Sequence, residues 1–414
     1  MGSATGPSTK GRIRGMRSRL GKRYHRMVRA CVLLQPKYFR YAMRYRMRKP
    51  RLRSPAQDRQ TALREAILWL CRSQEAGPDQ GSSCFRMATG WSRGYPEVTG
   101  YNLYTLLEYH ALTGDASAYA HAICMADWEL TVQLDCGAYR SGYVGSPHGP
   151  VTFNTGQVLQ GLVKAFLVTG QGRYMDAARR AANWLLEVQD PDGAWRKCVY
   201  LGEFRVTDTR VAYTLLEMWQ ASGDDRYREA AVRNLRYVAT LQSSNGWLPL
   251  CDNSLNLINQ PLTHTLAYTC EGFYKSGAIL NDDLFIQAAR LTADSMLRRF
   301  EIDGVLYGPY NSDWQGTVPW TCLTGCAQIS EVWSLLATCF KETRYLRASL
   351  RMNDYLCACQ DVSERDPAMR GAISGSEPLG GDYQPYTFPS WGTKYFCDAL
   401  MAEGRALRSL KGEM

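Results

Sequence analysis

Acidic residues are almost missing from the first 59 positions of this 414-residue chain, where 18 lysines and arginines stand against one acid, Asp58. The net charge of +10 is therefore uneven, +17 in that stretch and −7 in the remainder. Long apolar runs are missing too. None approaches the roughly 18 residues that mark a membrane-spanning helix, and no apolar stretch with a small-residue cleavage site follows the early charges, as a secretory signal would require. Histidine is scarce, at five, and the fourteen cysteines form no CxxC pairs. That spacing argues against zinc sites and fits buried, reduced thiols in a cytoplasmic protein better than a disulfide framework. The chain also lacks GxxxxGK[ST], GxGxxG after a strand, HExxH and GxSxG. Neither a nucleotide, a metal nor any other cofactor is expected. What is present is an apolar content of 45%, enough for a large core.

Residues 1–55 read as a basic, partly helical N-terminal arm and residues 56–414 as one large domain. The Gly/Ser/Thr-rich residues 1–9 are expected to be disordered. Residues 12–53 interleave Arg with Tyr, Met and other apolar side chains, the pattern of an amphipathic helix resting on an anionic membrane surface or on membrane-bound glycan-assembly proteins. Such an arm would place the body at the inner face of the membrane. Nucleic acid, which would use the same arginines and tyrosines, is not the expected partner. A belt packed against the acidic body is the plainer alternative. Pro50 and Pro55 mark the boundary.

The architecture follows from two interleaved repeats. One is a helix ending in Gln before a Gly-containing turn, at Gln74, Gln133, Gln189, Gln242 and Gln360, with a degenerate fifth copy ending at Glu301. The steps are 53 to 59 residues. The other is a Thr opening an apolar helical run, at Thr99, Thr155, Thr209, Thr263, Thr324 and Thr393. Each Thr is read as an N-cap, its hydroxyl accepting a free N–H of the first turn. Runs apolar on most sides, such as 158–166, are buried helices, whereas the Gln-ending helices carry charge on one side. Six of each, alternating, predict an all-α fold, an (α/α)6 barrel of six helical hairpins closed into a toroid.

In such a ring every inner helix starts at one face, so the segments before those starts converge on one funnel. They are rich in polar and aromatic side chains: Tyr95, Glu97, Tyr101, Asn154, Gln157, Glu203, Asp252, Asn253, Asn256, Trp314, Trp320, Gln328, Tyr383, Tyr386 and Trp391. Aromatic platforms beside amides and carboxylates suit sugars, and binding residues concentrate on loops held by a rigid scaffold. His264 opens the fourth inner helix, and a positioned imidazole transfers protons near neutral pH. Tyr268, one turn later, and Tyr395 complete a candidate acid/base set. Arg210 or Lys394 would hold a substrate carboxylate, although a salt bridge of Arg210 with Asp208 or Glu203 is an equal alternative. Asp208 and Asp313 are a rival carboxyl pair for glycoside cleavage.

The hairpin ends Gln189-Asp-Pro-Asp-Gly-Ala-Trp195 and Gln242-Ser-Ser-Asn-Gly-Trp247 resemble the QW-type turns of α/α-toroid proteins, terpene cyclases among them. The inner starts Thr155-Gly-Gln157, Thr263-His-Thr-Leu-Ala-Tyr268 and Leu323-Thr-Gly-Cys-Ala-Gln328 are more similar to the six-hairpin glycosidase-like superfamily. That group includes unsaturated-uronyl hydrolases, N-acylglucosamine 2-epimerases and, more distantly, glucuronyl C5-epimerases and polysaccharide lyases. The chain also resembles toroid proteins of bacterial polysaccharide biosynthesis clusters. The DxDD and DDxxD motifs of terpene cyclases are absent, and no second His opens a later inner helix as in the 2-epimerases. The resemblance implies an enzyme modifying a uronate-containing or lipid-linked glycan by proton abstraction, of epimerase or lyase type. A glycoside hydrolase and a non-catalytic glycan-binding or scaffold module are the alternatives.

Overall fold

The computed structural model describes residues 23, 25–48, 58–252 and 259–411. The expectations for residues 1–22, for the boundary around Pro50 and Pro55, and for Asn253 and Asn256 lie outside them.

Twelve helices of the described residues alternate as outer and inner members of hairpins. The outer set is α3 (Arg59–Glu75), α5 (Ala116–Val132), α7 (Gly172–Val188), α9 (Asp225–Leu241), α11 (Asp283–Asp303) and α13 (Thr343–Cys359). The inner set is α4 (Pro96–Thr113), α6 (Thr152–Thr169), α8 (Thr209–Ser222), α10 (Thr263–Leu280), α12 (Leu323–Phe340) and α14 (Ser390–Lys411). Each inner helix packs on the next, and α14 closes the circle against α4 and α3. Inner helices are buried nearly all round; in α9 only Tyr227, Ala230, Ala231, Asn234, Leu235 and Val238 turn inward, one stripe at helical spacing. Nine of the fourteen cysteines are buried within this framework.

The two repeats acquire physical meaning in the ring. The Gln that ends an outer helix ties its own turn to the next outer helix. Gln189 Nε2 donates to Gly193 O at 3.1 Å and to Ala230 O at 2.9 Å. Gln133 does the same with Gly137 O and Ala177 O, and Gln360 closes the circle on Gly371 O and Ala62 O. The Gly is required as well. Gly193 has φ +93°, and a Cβ there would sit 2.4 Å from the carbonyl carbon of Arg233.

The Thr repeat marks the inner starts but does not cap them, because no side-chain cap bond forms on α4, α6, α8, α10 or α12. Thr99, Thr155 and Thr393 instead accept the backbone N–H of Ser82, Tyr139 and Ile373, at 2.8, 3.0 and 3.1 Å. Those donors lie in the loop that leads from each preceding outer helix, so the hydroxyl pins the loop to the helix it feeds.

Short strands dress the face where inner helices begin. β1 (Phe85–Arg86) pairs antiparallel with β2 (Gly90–Trp91) and with β5 (Thr387–Phe388), joining the first and sixth loops. β3 (Thr321–Cys322) pairs with β4 (Ser376–Glu377). The arm lies across this seam. Its helices are α1 (residues 25–33) and α2 (Pro36–Arg48). Tyr38 packs edge-on to Phe85 and Tyr41 to Phe388, each at 6.2 Å. Lys37 pairs with Asp366 at 2.7 Å and Arg44 with Glu364 at 2.6 Å. This part of the arm is thus fastened to the acidic body. No described helix is long and apolar enough to cross a membrane.

Candidate active site

A cavity of about 300 Å³ opens where the first four inner helices begin, with the last loop leaning over it. From the first hairpin come Glu97, Tyr101 and Tyr95; from the second, Phe153 and Asn154; from the third, Arg205 and Asp208. The fourth supplies Asp252, His264 and Tyr268, and the sixth Tyr383, Gln384 and Trp391. Aromatic walls alternate with acids. Phe153 stands edge-on to Tyr268 at 5.2 Å, and Trp391 Nε1 donates to the Tyr383 hydroxyl at 2.7 Å.

Two carboxyl groups are held far from their ordinary behaviour. Burial pushes Asp208 up to about 8, opposed only in part by the Arg205 guanidinium. Its Oδ2 has no hydrogen-bond partner among the described residues. Burial also pushes Glu97 up to about 7, but here the Tyr95 hydroxyl, donating to Oε2 at 2.7 Å, favours the ionised form. Asn154 Nδ2 donates to the same oxygen at 2.8 Å. A third acid, Asp252, is likewise raised by burial. Near neutral pH, Asp208 keeps its proton while Glu97 is close to losing one.

His264 follows the opposite course, since burial lowers it to about 4 and the ring stays neutral. Nδ1 bonds Gln328 Oε1 at 2.5 Å, which leaves Nε2 as the ring's lone pair. Tyr268 lies 4.4 Å away, ring to ring, and burial raises its phenol, making it a neutral donor.

Eleven of the expected funnel residues therefore meet in one cavity: Tyr95, Glu97, Tyr101, Asn154, Glu203, Asp208, Asp252, His264, Tyr268, Tyr383 and Trp391. Others do not. Asp313 is exposed in the turn around Asn311, away from the cavity, so the pair Asp208 with Asp313 is not formed. Trp314 packs edge-on to Trp247 and donates to Asn245 O, an outer contact. Trp320 fills a small cluster with Leu262, Cys322 and Tyr383, behind the lining. Tyr386 is buried outside the lining, where its carbonyl accepts from Met87 N–H.

Arg210 is fully buried, outside the lining, and commits its fork to Glu271 at 2.5 Å and to Gln157 and Gln160 at 3.0 and 2.9 Å. The salt bridge weighed for Arg210 exists, but with Glu271. Lys394 pairs with Asp398 at 2.5 Å beneath the Tyr395 ring, so neither cation is free to clamp a substrate carboxylate. Gln157, Gln328 and Tyr395 are buried behind the surface as supports.

Among the lining residues that escaped sequence reasoning are Arg86, Tyr143, Phe153, Tyr200, Arg205 and Gln384. Arg86 donates to the Tyr143 hydroxyl at 2.7 Å. Arg205 is nearly buried, and its Nη1 donates to Glu203 at 3.1 Å while its Nε finds no partner. Its one signal was proximity, three residues before Asp208 in a short 3-10 turn (Val206–Asp208). No group of three His, Cys, Asp or Glu among the described residues is placed to hold a metal ion.

The ring of six hairpins gives the chain an (α/α)6 toroid fold, which it shares with solved sugar-processing enzymes. No protein-family profile matches it. An uncharacterized protein of Caenorhabditis elegans is 31% identical over an alignment 117 residues long that covers 24% of this chain and 16% of that protein. The chain thus spans well under two thirds of that relative's length. An unsaturated glucuronyl hydrolase specific for heparin superposes with a TM-score of 0.66 at 15% identity, over 84% of this chain and 98% of its own. Cellobiose 2-epimerase of Bacillus thermoamylovorans gives 0.67 at 11%, over 83% and 98%. A D-mannose isomerase gives 0.65 at 13%, over 86% and 99%.

Proposed function

We propose that the chain is an enzyme that hydrolyses a uronate-containing glycan, with Asp208 as general acid and Glu97 as general base. The observation that carries this reading is the pair of cavity carboxyls raised to about 8 and about 7 by burial. Titratable groups whose surroundings push them apart mark an acid and a base. Asp208, without donors on Oδ2, keeps its proton; Glu97, with two donors on Oε2, gives its proton up first. In glycoside cleavage the Asp208 proton goes to the bridging oxygen and the C–O bond breaks. Water supplies the new hydroxyl and leaves its proton on Glu97. The nearly buried Arg205, paired with the half-exposed Glu203 through Nη1 but with Nε unpartnered, offers a counter-charge for a sugar carboxylate, and Trp391, Tyr268 and Phe153 offer faces for the ring. Unsaturated glucuronyl hydrolases among the similar structures agree with this substrate class.

A second reading rests on His264. A neutral imidazole with a free Nε2, next to a phenol donor, can abstract a proton from a sugar carbon, as an epimerase or lyase requires. Turnover in heavy water distinguishes the two. Saturated glycoside hydrolysis adds one water and leaves the sugar carbons unlabelled; epimerisation exchanges deuterium into one of them at unchanged length, and elimination shortens the chain without adding water and leaves a carbon–carbon double bond. Oligosaccharides ending in saturated glucuronate are the probe. Chain shortening with the gain of one water and no carbon-bound deuterium supports hydrolysis; labelled sugar of unchanged length, or a shortened chain with an unsaturated end and no added water, overturns it.

A further inference from the structure

The arm is two-faced. In α2, Tyr38, Ala42, Tyr41 and Tyr45 turn toward the body, and Lys37 and Arg44 reach sideways to Asp366 and Glu364. In α1, Val28 and Val32 are the buried anchors. The opposite side is covered by no other element among the described residues. Phe39, Met43 and Met47, spaced at i, i+4 and i+8, form an exposed stripe, with Met47 78% exposed. Arg40 and Arg46, both exposed, flank the stripe on its two sides. At the turn between the helices Leu34 is 81% exposed.

We propose that this outward face docks on a phospholipid bilayer bearing anionic headgroups. An apolar stripe flanked by arginines is what an interfacial helix presents, its side chains entering the headgroup boundary while the guanidiniums meet phosphate. The arm's charges divide by direction. Lys37 and Arg44 are neutralised by the body, whereas Arg40 and Arg46 have no ion-pair partner among the described residues and point to a second, external anion. Charge alone would also serve a nucleic acid. The described tyrosines of the arm, Tyr38, Tyr41 and Tyr45, are turned toward the body, however, and the large apolar side chains left outside among the described residues are Met, Leu and Phe.

The position of the arm gives docking a consequence. α2 lies on the β1–β5 seam, and His25 of α1 bonds Asp382 at 3.1 Å, next to the cavity residues Tyr383 and Gln384. A bilayer under the arm therefore lies beside the cavity mouth, and the glycans within reach are those carried at that surface.

Co-sedimentation of the full chain with vesicles tests this. Phosphatidylcholine alone and phosphatidylcholine mixed with phosphatidylglycerol are compared, with a single-stranded RNA as competitor. The chain is expected to sediment with the anionic vesicles only. Arg40→Gln with Arg46→Gln should weaken that binding by roughly thirtyfold, at about fivefold per surface arginine. Phe39→Ser, Met43→Ser and Met47→Ser together should abolish it while lowering the melting temperature only slightly, since Met47 is 78% exposed and Phe39 and Met43 keep about two fifths of their surface in water. No vesicle binding by the natural chain, wild-type binding by either variant, or preference for the RNA overturns the proposal.

Discussion

Asp208 combines a buried carboxyl, an unpartnered oxygen and a place one residue before an inner helix. Two expectations follow from its titration. Turnover should be greatest while Asp208 holds its proton and Glu97 has lost its own. It should fall as pH rises above about 8 and as it falls below about 7, which a pH profile of kcat/KM checks. His264, lowered to about 4, should add no limb near the ordinary imidazole range. Stability follows the same group. A carboxyl whose folded value lies above its ordinary 3.8 contributes stability below that value, and the contribution is lost as pH rises toward about 8. Asp208→Asn should remove this loss, so denaturant melts on either side of the Asp208 titration should differ less for the variant than for the natural chain.

At this scale the sequence was half legible. Asp208 and His264 could be placed because they sit at inner starts, which the repeat locates. Arg210 could not, because side chains two helical positions apart point roughly 200° apart. One residue of that short run faces the mouth and the other the Glu271 network. Trp314 and Asp313 were misplaced because the loop before α12 makes its excursion over the previous hairpin, toward Asn245.

The hairpin is the element in which sequence and structure agree best, and for a reason the Gln repeat makes plain. One amide joins a turn to the neighbouring outer helix, so Gln recurs at five of the six hairpin junctions, with Glu301 near the end of the remaining outer helix. Gln189→Ala removes bonds to Gly193 O and Ala230 O and should cost about 1–3 kcal/mol, read from a chemical melt. Gly193→Ala should cost at least as much, because its Cβ would meet the Arg233 backbone in a left-handed conformation. The Thr repeat marked the right places with the wrong bond. A capping Thr and a loop-pinning Thr differ by a few residues of register, which periodicity does not resolve. A further signal went unread. Gly114-Asp115 and Gly223-Asp224 end an inner helix with a left-handed Gly and cap the next outer helix with Asp.

Across the whole molecule, the ring holds only if its ends meet. Arg59, at the start of α3, donates to Glu403 of α14 at 2.9 Å and to Asp354 of α13 at 2.7 Å. Glu403 is almost buried. Arg59→Ala leaves that carboxylate with Asn353 as its remaining side-chain donor and should cost about 3 kcal/mol, measured by the denaturation midpoint. Such closure follows once six hairpins are counted. The lie of the arm does not, because its tyrosines and arginines suit a membrane, a nucleic acid and the body's own acids equally well until their directions are known.

The account's central claim is that the cavity hydrolyses a glycan by proton donation from Asp208. The most direct measurement is kcat/KM of the natural chain and of Asp208→Asn on an oligosaccharide ending in glucuronate, with products followed by mass. The account predicts a product gaining one water and a variant slower by about 100-fold or more, the usual share of a general acid. Equal turnover by the variant, or a product of unchanged mass, would contradict it.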